Sequence, residues 1–507
     1  MGKNVIYSLR NLEDWVYIAS SLQKELNWDP CCWIAYPHLG KLIKDVFPGC
    51  IYHNFFDINK GVIPKELKHY SDFPVDEKLI LKLSQYELIA LEMMMRMDML
   101  YTLNYHEQIR LYYKLIMYWL NIINYIKPDI VFFQDSPHNI SDYILYILCR
   151  LHNIDTLMFI PTSVEGRSFI VKSFEDNYEF LTSTYKDELS KINNSMKVCN
   201  YDISTDFDKT GDKDDNSMPW YMESYKLQEK KIKKRSYYKY FILLKYIFKP
   251  QWFLEIPGQE YYKKRYKTPE ESYFNRMDIK LYNIKTNRYK KKLKKYYNKI
   301  SKNPDYLDNY IYMPLHYQPE RTTCPEGGVY FNQFLMISML SSLLPHNWFI
   351  YVKEHPSQFY SFFFGEKCRS KVFYDDICNI NNVKLIKLET PSFDLIKKAK
   401  AVATVTGTAG WEAISMGIPT LVFGYAWYRS CEGAFFVRTL EDCKEVLNEI
   451  INGCQISSHR IKAFVNSINK VSIKAQLGLI RFEDERVIPQ ENNIKNISEY
   501  IIRMSRM

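Results

Sequence analysis

The sequence is short of glycine, of paired cysteines and of long apolar runs, and each shortage excludes a class of protein. Only 17 of the 507 residues are glycine, so most turns must use Asn, Asp or Pro and any glycine cluster is informative. The 11 cysteines show no CxxC pair and no repeated spacing, which argues against a zinc site or a disulfide framework. We therefore expect reduced thiols and a cytoplasmic protein.

Membrane-targeting signals are also missing. The first residues contain no apolar core of signal-peptide length, and no run approaches the roughly 18 apolar residues of a transmembrane helix. Gly2 does not indicate myristoylation, because Ile6 stands where Ser or Thr is required. We expect a protein that is soluble or that contacts a membrane only at its surface.

Basic charge is concentrated in one segment. The net charge is +10, but residues 226–300 hold 23 Lys and Arg against 6 Asp and Glu, a local charge of +17 (23 − 6). Three interpretations of residues 228–300 remain open: a solvated helical insertion, a peripheral contact with the inner face of a membrane, or a nucleic-acid-binding segment. Nucleic acid is the least favoured, because no recognised motif accompanies the charge. The acidic, polar residues 200–219 before it predict a loose linker.

Apolar strand patterns alternate with helical patterns on both sides of this segment. Before it, the predicted strands are 4–9, 31–37, 130–139 and 156–162, and the predicted helices are 12–26, 76–126 and 140–153. After it, the predicted strands are 310–315, 348–354 and 401–406, and the predicted helices are 331–344, 391–399 and 497–506. This order predicts an α/β protein with parallel sheets, in which two Rossmann-like domains face a cleft and a basic helical insertion lies between them. The predicted limits are 1–198, 199–304, 305–480 and, for a C-terminal helix, 481–507.

The most informative stretch is VTGTAGWEAISMGIPTLVFG, which begins at Val405. It predicts a strand, a small-residue turn, a helix that opens at Trp411–Glu412, and a second strand. The turn residues are Thr406, Gly407 and Thr408. Their amides and hydroxyls suit a phosphate, and the Glu412 carboxylate suits ribose hydroxyls. The alternatives are a turn that only packs helix on strand, and a carboxylate that caps the helix.

A second candidate group follows the strand WFIYVKE. His355 stands at the end of that strand, where an imidazole can bind a phosphate oxygen, and Pro356 fixes the turn that presents it. The alternative is a histidine that satisfies a loop carbonyl. Lys353 and Glu354 point to opposite faces of a strand, so only one of them can share the side of His355.

A third group is the loop LHYQPE after the first strand of the second domain. It carries His316, Gln318 and Glu320, which we expect to face the cleft and to touch a sugar or phosphate. The alternative is a rigid, proline-bounded loop with polar surface groups.

Three motifs, in this order and spacing, resemble those of the capsular polysaccharide biosynthesis family, which includes the Kdo transferases of Gram-negative capsules. They are PLHYQPERTTCPEGG at Pro314–Gly328, YVKEHPSQ at Tyr351–Gln358, and TVTGTAGWEAISMGIPTLVFG from Thr404. A weaker similarity covers FFQDSPHN at Phe132–Asn139. The basic segment lies outside the resemblance.

The resemblance implies a GT-B glycosyltransferase of capsule synthesis that uses a nucleotide-sugar donor. Its His-Pro pair, here His355–Pro356, contacts the phosphate of a CMP donor, so we favour a CMP-sugar such as CMP-Kdo over a UDP-sugar. Because such transferases retain configuration, Asp135 is a candidate nucleophile or general base, and His138 can position it. The alternative is that Asp135 and Ser136 cap the following helix.

The sequence predicts neither an essential metal nor a cofactor. No DxD element ends a convincing strand, and Asp375–Asp376 lies away from the motifs. The single phosphate of a CMP-sugar also needs less charge neutralisation than a diphosphate. The acceptor is expected to be a glycan or a glycolipid. Two competing functions remain: a nucleotide-sugar 2-epimerase, and a non-catalytic polysaccharide-binding or export protein of the same fold.

Overall fold

The computed structural model describes residues 2–64, 67, 74–98, 103–164, 166–194, 276–320, 322–478 and 488–506. The predicted linker at 200–219 and most of the basic segment lie outside these residues. The described chain forms two α/β units, each built on one sheet.

The first unit contains a seven-stranded sheet with helices on its faces. Its strands are β1 (Lys3–Ser8), β2 (Trp28–Ala35), β3 (Ile51–Asn54), β4 (Ile130–Phe133), β5 (Asp155–Pro161) and β6 (Arg167–Val171), joined by one short strand from the C-terminal part of the chain. Its helices are α1 (Asp14–Leu26), α2 (Gly40–Val46), α3 (Phe55–Ile58), α4 (Glu77–Met97), α5 (Tyr105–Ile126), α6 (Ile140–Leu151) and α7 (Glu179–Asn194). Strands β3, β2, β1, β4 and β5 are parallel, whereas β6 runs antiparallel to β5. The predicted parallel arrangement thus holds for five strands, and β6 departs from it at this edge, where a short connection returns the chain directly beside β5.

The second unit contains a six-stranded, fully parallel sheet. Its strands are β7 (Asn309–Pro314), β8 (Trp348–Lys353), β9 (Val383–Leu385), β10 (Ala401–Thr404), β11 (Thr420–Val422) and β12 (Ala434–Phe436). Its helices are α8 (Arg276–Ile300), α9 (Thr323–Glu326), α10 (Gln333–Leu343), α11 (Lys371–Cys378), α12 (Ser392–Lys398), α13 (Thr408–Ser415) and α14 (Leu440–Ile451).

The chain then returns to the first unit. Helix α15 (Ser458–Val471) packs on α7, strand β13 (Ile473–Lys474) pairs antiparallel with β6, and helix α16 (Gln490–Arg506) packs on α1. The return is fixed by a buried hydrogen bond of 2.7 Å from Asn493 Nδ2 to Asp14 Oδ2. The predicted domain limits at 198, 304 and 480 stay predictions.

Both sheets share one strand order, which is β3-β2-β1-β4-β5-β6 in the first unit and β9-β8-β7-β10-β11-β12 in the second. In such sheets the order reverses between the first and fourth strands, and ligands bind outside the carboxyl ends of those strands. The two Rossmann-like units confirm the predicted GT-B-like fold class. They also indicate where its site should lie.

Burial on both faces explains why the strands read as continuous apolar runs. In β1, Val5 and Tyr7 lie in the hydrophobic cluster on one face of the sheet, whereas Ile6 lies in the cluster on the other. All three side chains are fully buried.

Helix α8 forms the last part of the basic segment. Its Leu293 and Tyr297 are buried in the hydrophobic core of the second unit, so this part of the segment belongs to the fold of that unit. Among the helices that the structure describes, none combines the length and apolar character needed to cross a bilayer.

Candidate functional site

The candidate residues follow the four strands at which the two sheets reverse their order. Arg10 follows β1, and Asp135 and His138 follow β4; in the second unit, His316 follows β7 and Gly407 follows β10. Loops at these positions meet across the cleft between the units. The predicted residues therefore lie at the carboxyl ends of these strands, and their role as a site stays a prediction.

In the first unit, Asp135 forms an ion pair with the guanidinium of Arg10. Arg10 Nη1 lies 3.1 Å from His138 Nε2, and His138 Nδ1 lies 2.9 Å from the carbonyl oxygen of Ser136. Because a carbonyl can only accept, Nδ1 carries the imidazole proton and Nε2 accepts from Arg10. Burial opposes the charge of Arg10, but the carboxylate of Asp135 outweighs it and raises the pKa of the guanidinium. Arg10 therefore orients both predicted residues of this side.

The helix-capping interpretation of Asp135 is wrong. Helix α6 begins at Ile140 and its N-cap is Asn139. Asp135 precedes that N-cap by four residues, and its carboxylate lies against Arg10. The side chain of Asp135 keeps 24% of its surface exposed, which leaves it reachable from the cleft.

In the second unit, His316 joins two of the predicted motifs. Its Nδ1 lies 3.1 Å from Glu320 Oε2, and its Nε2 lies 3.0 Å from the hydroxyl of Thr404 at the end of β10. Burial opposes ionisation of Glu320, but the hydrogen bond and charge of His316 outweigh it and lower the pKa of Glu320. Gln318 is different, because it is only 3% exposed and its side-chain amide donates to Thr323 within the loop.

His355 is held as a neutral imidazole. Burial, only partly offset by Glu320, lowers the pKa of His355 to about 4. Its Nδ1 accepts a hydrogen bond of 3.3 Å from the backbone amide of Ser357, so the proton stands on Nε2. The turn Pro356–Phe359 that follows is a short 3₁₀ helix, as expected for Pro at its first position. His355 can therefore donate to an anion without carrying a charge.

Lys353 and Glu354 are engaged inside the second unit. Lys353 Nζ donates to the Thr390 carbonyl and, at 2.9 Å, to the Ser392 hydroxyl. The Glu354 carboxylate accepts from the His355 amide at 2.8 Å and from Arg369 Nε at 2.7 Å. Glu354 thus fixes the backbone of the His355 loop, a role that the sequence pattern did not indicate.

The turn after β10 brings its glycine against His316. A Cβ on Gly407 would lie 2.8 Å from Thr404 Oγ1 and 3.1 Å from His316 Cε1, so only glycine allows this close approach. Thr408 is exposed at the start of helix α13, while the Thr406 hydroxyl is buried and has no hydrogen-bond partner among the described residues. The turn therefore offers the free amides of a helix N-terminus beside an imidazole.

Helix α13 begins earlier than predicted. It starts at Thr408, with Gly407 as its extended N-cap, and not at Trp411–Glu412. Glu412 therefore lies in the second turn, and the interpretation of Glu412 as a capping carboxylate is wrong. Burial, partly offset by the nearby Thr408 hydroxyl, raises the pKa of Glu412 to about 7.

Glu326 was not singled out from the sequence, although it lies within the PEGG part of the first motif. Its Oε1 accepts a hydrogen bond of 2.5 Å from the Ser136 hydroxyl of the other unit. Burial, together with the nearby charges of Asp135 and Glu320, raises the pKa of Glu326 to about 7. Such a carboxyl can gain or lose a proton near neutral pH.

Arg96, at the end of α4, ties the two sides together. Its guanidinium donates to the His138 carbonyl of its own unit and to the carbonyls of Glu320, at 2.6 Å, and Cys324, at 3.2 Å, of the other. The loops carrying Asp135 and Glu326 are thereby held face to face. A lone arginine in a helix gives no sequence signal for this role.

The described residues contain no group of three or more His, Cys, Asp or Glu side chains arranged to hold a metal ion. What they contain is a set of hydrogen-bond donors on one side of the cleft and carboxylates on both. That combination can bind a phosphate, orient a sugar and transfer a proton.

Residues 321–445 match the family described as "Capsule polysaccharide biosynthesis protein". The match confirms, for this part of the chain, the resemblance predicted from the motifs. It includes Glu326, His355, the 406–408 turn and Glu412. No curated protein sequence matches the chain significantly.

Solved structures similar to the chain include two sugar transferases and an epimerase. Thermosulfurimonas dismutans KpsC, a beta Kdo 2,7 transferase, is 15% identical over 45% of this chain and 62% of its own, with a TM-score of 0.22. The calicheamicin glycosyltransferase CalG4 is 10% identical over 99% of each chain, with a TM-score of 0.23. Methanocaldococcus jannaschii UDP-GlcNAc 2-epimerase is 12% identical over 93% of this chain and 100% of its own, with a TM-score of 0.24.

Proposed function

We propose that this protein is a glycosyltransferase of capsule polysaccharide synthesis that uses a CMP-activated acidic sugar, Kdo or a close relative. One observation carries the proposal: residues 321–445, which match the capsule family, lie beside Asp135 of the first unit. The bond between Ser136 and Glu326 brings the two sides within reach of one substrate.

The second unit holds the donor in this proposal. The Nε2–H of His355 donates a hydrogen bond to the phosphate, and the backbone amides at the start of α13, after Gly407, bind the same phosphate. Glu412 accepts from the ribose hydroxyls. A neutral donor and backbone amides suit the single phosphate of a CMP-sugar, so the proposed reaction uses neither a metal nor a cofactor.

The first unit supplies the nucleophile. An oxygen of the Asp135 carboxylate attacks the anomeric carbon, the bond from that carbon to the phosphate oxygen breaks, and CMP leaves with the electron pair. An acceptor hydroxyl then gives its proton to the Glu326 carboxylate and attacks the same carbon, which releases Asp135. Two displacements retain the configuration of the sugar. Arg10 and His138 hold the nucleophile in place.

The test is a product assay with CMP-Kdo and UDP-GlcNAc, each with and without a glycan acceptor. We expect a new glycoside only with CMP-Kdo and acceptor. An epimer formed from UDP-GlcNAc without acceptor would overturn the proposal in favour of an isomerase. If no nucleotide in a CMP and UDP panel raises the melting temperature, the protein is a binding or export component and not an enzyme.

The same panel tests the donor residues. His355→Ala and Glu412→Ala should weaken CMP binding, whereas the control His346→Ala should not. His346 is exposed and precedes β8, so it lies at the opposite end of the strand that leads to His355. Equal CMP affinity in all three variants would contradict the donor site. The cytoplasmic location and the roles of His316, Gln318, Glu320, Lys353, Thr406 and Thr408 stay predictions.

A further inference from the structure

Helix α8 has one face that is fixed against the second unit. Lys290 is only 2% exposed, and its Nζ donates to the carbonyls of Tyr360 at 2.9 Å and Phe363 at 2.6 Å. Two turns further on, the buried Tyr297 hydroxyl donates to the Ile386 carbonyl and accepts from the Glu354 amide. These bonds determine the rotation of the helix about its axis, and so determine which face points away from the protein.

The outward face is a continuous stripe of exposed residues at spacings of three and four. It consists of Leu281, Ile284, Lys285, Arg288, Lys291, Lys292, Lys295 and Lys299. Between residues 281 and 299 this stripe runs for about 27 Å along a straight helix. We call it the outer stripe of α8.

The charge of the outer stripe is not compensated. Residues 281–300 include no Asp or Glu. In the described part of the chain, none of the six cations in the stripe forms an ion pair with a carboxylate. A row of like charges that the protein itself leaves unpaired is complementary to an anionic surface.

The apolar end of the stripe distinguishes between anionic partners. Leu281 is 57% exposed and Ile284 is 50% exposed, beside Lys285 and Arg288. Aliphatic side chains next to lysines suit the interface of a lipid bilayer, where they enter the acyl boundary while the cations meet the headgroups. Single-stranded nucleic acid is bound mainly by stacking on aromatic rings, and the exposed Tyr289 at the edge of the stripe is tied down by its hydroxyl, which donates to the Arg369 carbonyl at 3.2 Å.

We propose that the outer stripe of α8 docks the protein on the surface of an anionic lipid bilayer, with the helix axis parallel to the membrane plane. The inner face of the same helix touches Glu354, beside the proposed donor loop, so docking holds the cleft next to the membrane. The proposal concerns a surface apart from the site and does not depend on the identity of the sugar donor.

The test is co-sedimentation of the full chain with vesicles of phosphatidylglycerol and phosphatidylcholine, and with vesicles of phosphatidylcholine alone. The variant Arg288→Glu, Lys292→Glu, Lys295→Glu reverses the stripe. The control Lys44→Glu, Lys78→Glu, Lys82→Glu makes the same change in net charge at exposed positions of α2 and α4. We expect the stripe variant to lose about tenfold or more of its binding to anionic vesicles, and the control to keep most of it.

Two further measurements decide between partners. Leu281→Ser with Ile284→Ser should weaken binding to anionic vesicles but leave binding to a single-stranded oligonucleotide unchanged. The proposal is overturned if the stripe variant binds anionic vesicles as tightly as the wild type does. It is also overturned if the oligonucleotide displaces the wild type from vesicles while Leu281→Ser with Ile284→Ser binds vesicles and oligonucleotide with equal affinity. Transfer to a soluble acceptor should persist in the stripe variant with an unchanged melting temperature, which separates failure of docking from failure of the proposed activity.

Discussion

On the first-unit side of the cleft, the carboxylate of Asp135 lies against a guanidinium, whereas on the second-unit side Glu326 and Glu412 lie against neutral hydroxyls. The consequence appears in the pKa values. Burial raises the pKa of Glu326 and of Glu412 to about 7, and lowers the pKa of His355 to about 4. The Asp135 carboxylate is therefore held in an ion pair, whereas Glu326 and Glu412 are close to their titration points, although Glu354 of the second unit is itself paired with Arg369.

This difference follows from how a protein surrounds an ionisable group. Burial disfavours the charged form of any group, and an opposite charge within a few ångströms restores it. Arg10 supplies that charge to Asp135, the proposed nucleophile, through their ion pair. Among the described residues no cation forms a hydrogen bond with Glu326, so its carboxyl can accept a proton from an acceptor hydroxyl and release it again near neutral pH.

Removal of the fixed charge should have the largest effect. Asp135→Asn keeps the size of the side chain but removes the nucleophile, and we expect kcat to fall by up to about 10⁴-fold. The matched control is Asp129→Asn, because Asp129 is exposed at the amino end of the same strand β4. Steady-state kinetics with CMP-Kdo and acceptor measures both variants. A kcat in Asp135→Asn within a few fold of the control would exclude Asp135 as the nucleophile.

The titratable side is tested by pH. If Glu326 is the base, kcat should rise with pH through about 7 as its carboxylate forms, following the raised pKa. Glu326→Gln should lower kcat by about 10²-fold and abolish this dependence. Ser136→Ala should shift the midpoint upward, because the lost hydrogen bond favours the carboxylate. If kcat of Glu326→Gln rose with pH at the same midpoint as in the wild type, the rise would belong to another group.

The pH dependence of the protein's stability gives an independent measure of the pKa of Glu326. A folded-state pKa above the unfolded value of 4.5 means that the native state binds the proton more tightly. The resulting stability is fully present below pH 4.5 and is lost as the pH rises through about 7. In Glu326→Gln this loss should disappear, so the variant and wild type should diverge in melting temperature as the pH increases.

Much of this arrangement could be predicted from the sequence, because strands that are buried on both faces appear as apolar runs and their ends as polar loops. The positions of Asp135, His316 and His355 followed from that pattern. The start of α13 could not be predicted in this way. The small residues after β10 have the composition of a turn, but their backbone is already helical from Thr408.

What could not be predicted depends on contacts between distant parts of the chain. Arg10 and Asp135 are 125 residues apart, and Ser136 and Glu326 are 190 apart. A sequence pattern shows which side chains end a strand, but not which of them meet across two units. The pKa of Glu326 depends in part on that meeting, because burial is its main cause and Ser136 and Asp135 of the other unit also act on it.

The neutrality of His355 predicts a smaller effect, confined to donor binding. His355→Ala removes one hydrogen bond to a charged phosphate, so the Kd for CMP should rise by about 10- to 100-fold. Because the pKa of the imidazole lies near 4, the ratio of variant to wild-type Kd should stay constant between pH 6 and pH 8. Titration calorimetry measures it. A ratio that grows as the pH falls from 8 to 6 would indicate a protonated imidazole and contradict the neutral donor.

Lys353 gives the smallest expected effect and the sharpest control on the comparison. It precedes the His355 loop and would place a permanent charge on the second-unit side if its ammonium reached the donor phosphate. Its Nζ instead donates to the Thr390 carbonyl and the Ser392 hydroxyl. Lys353→Met should therefore lower the free energy of unfolding by about 1–3 kcal/mol while changing the Kd for CMP by less than about threefold. If the Kd changed by tenfold or more, the phosphate would be bound by the charged Lys353 ammonium, and the account of donor binding by neutral groups would be wrong.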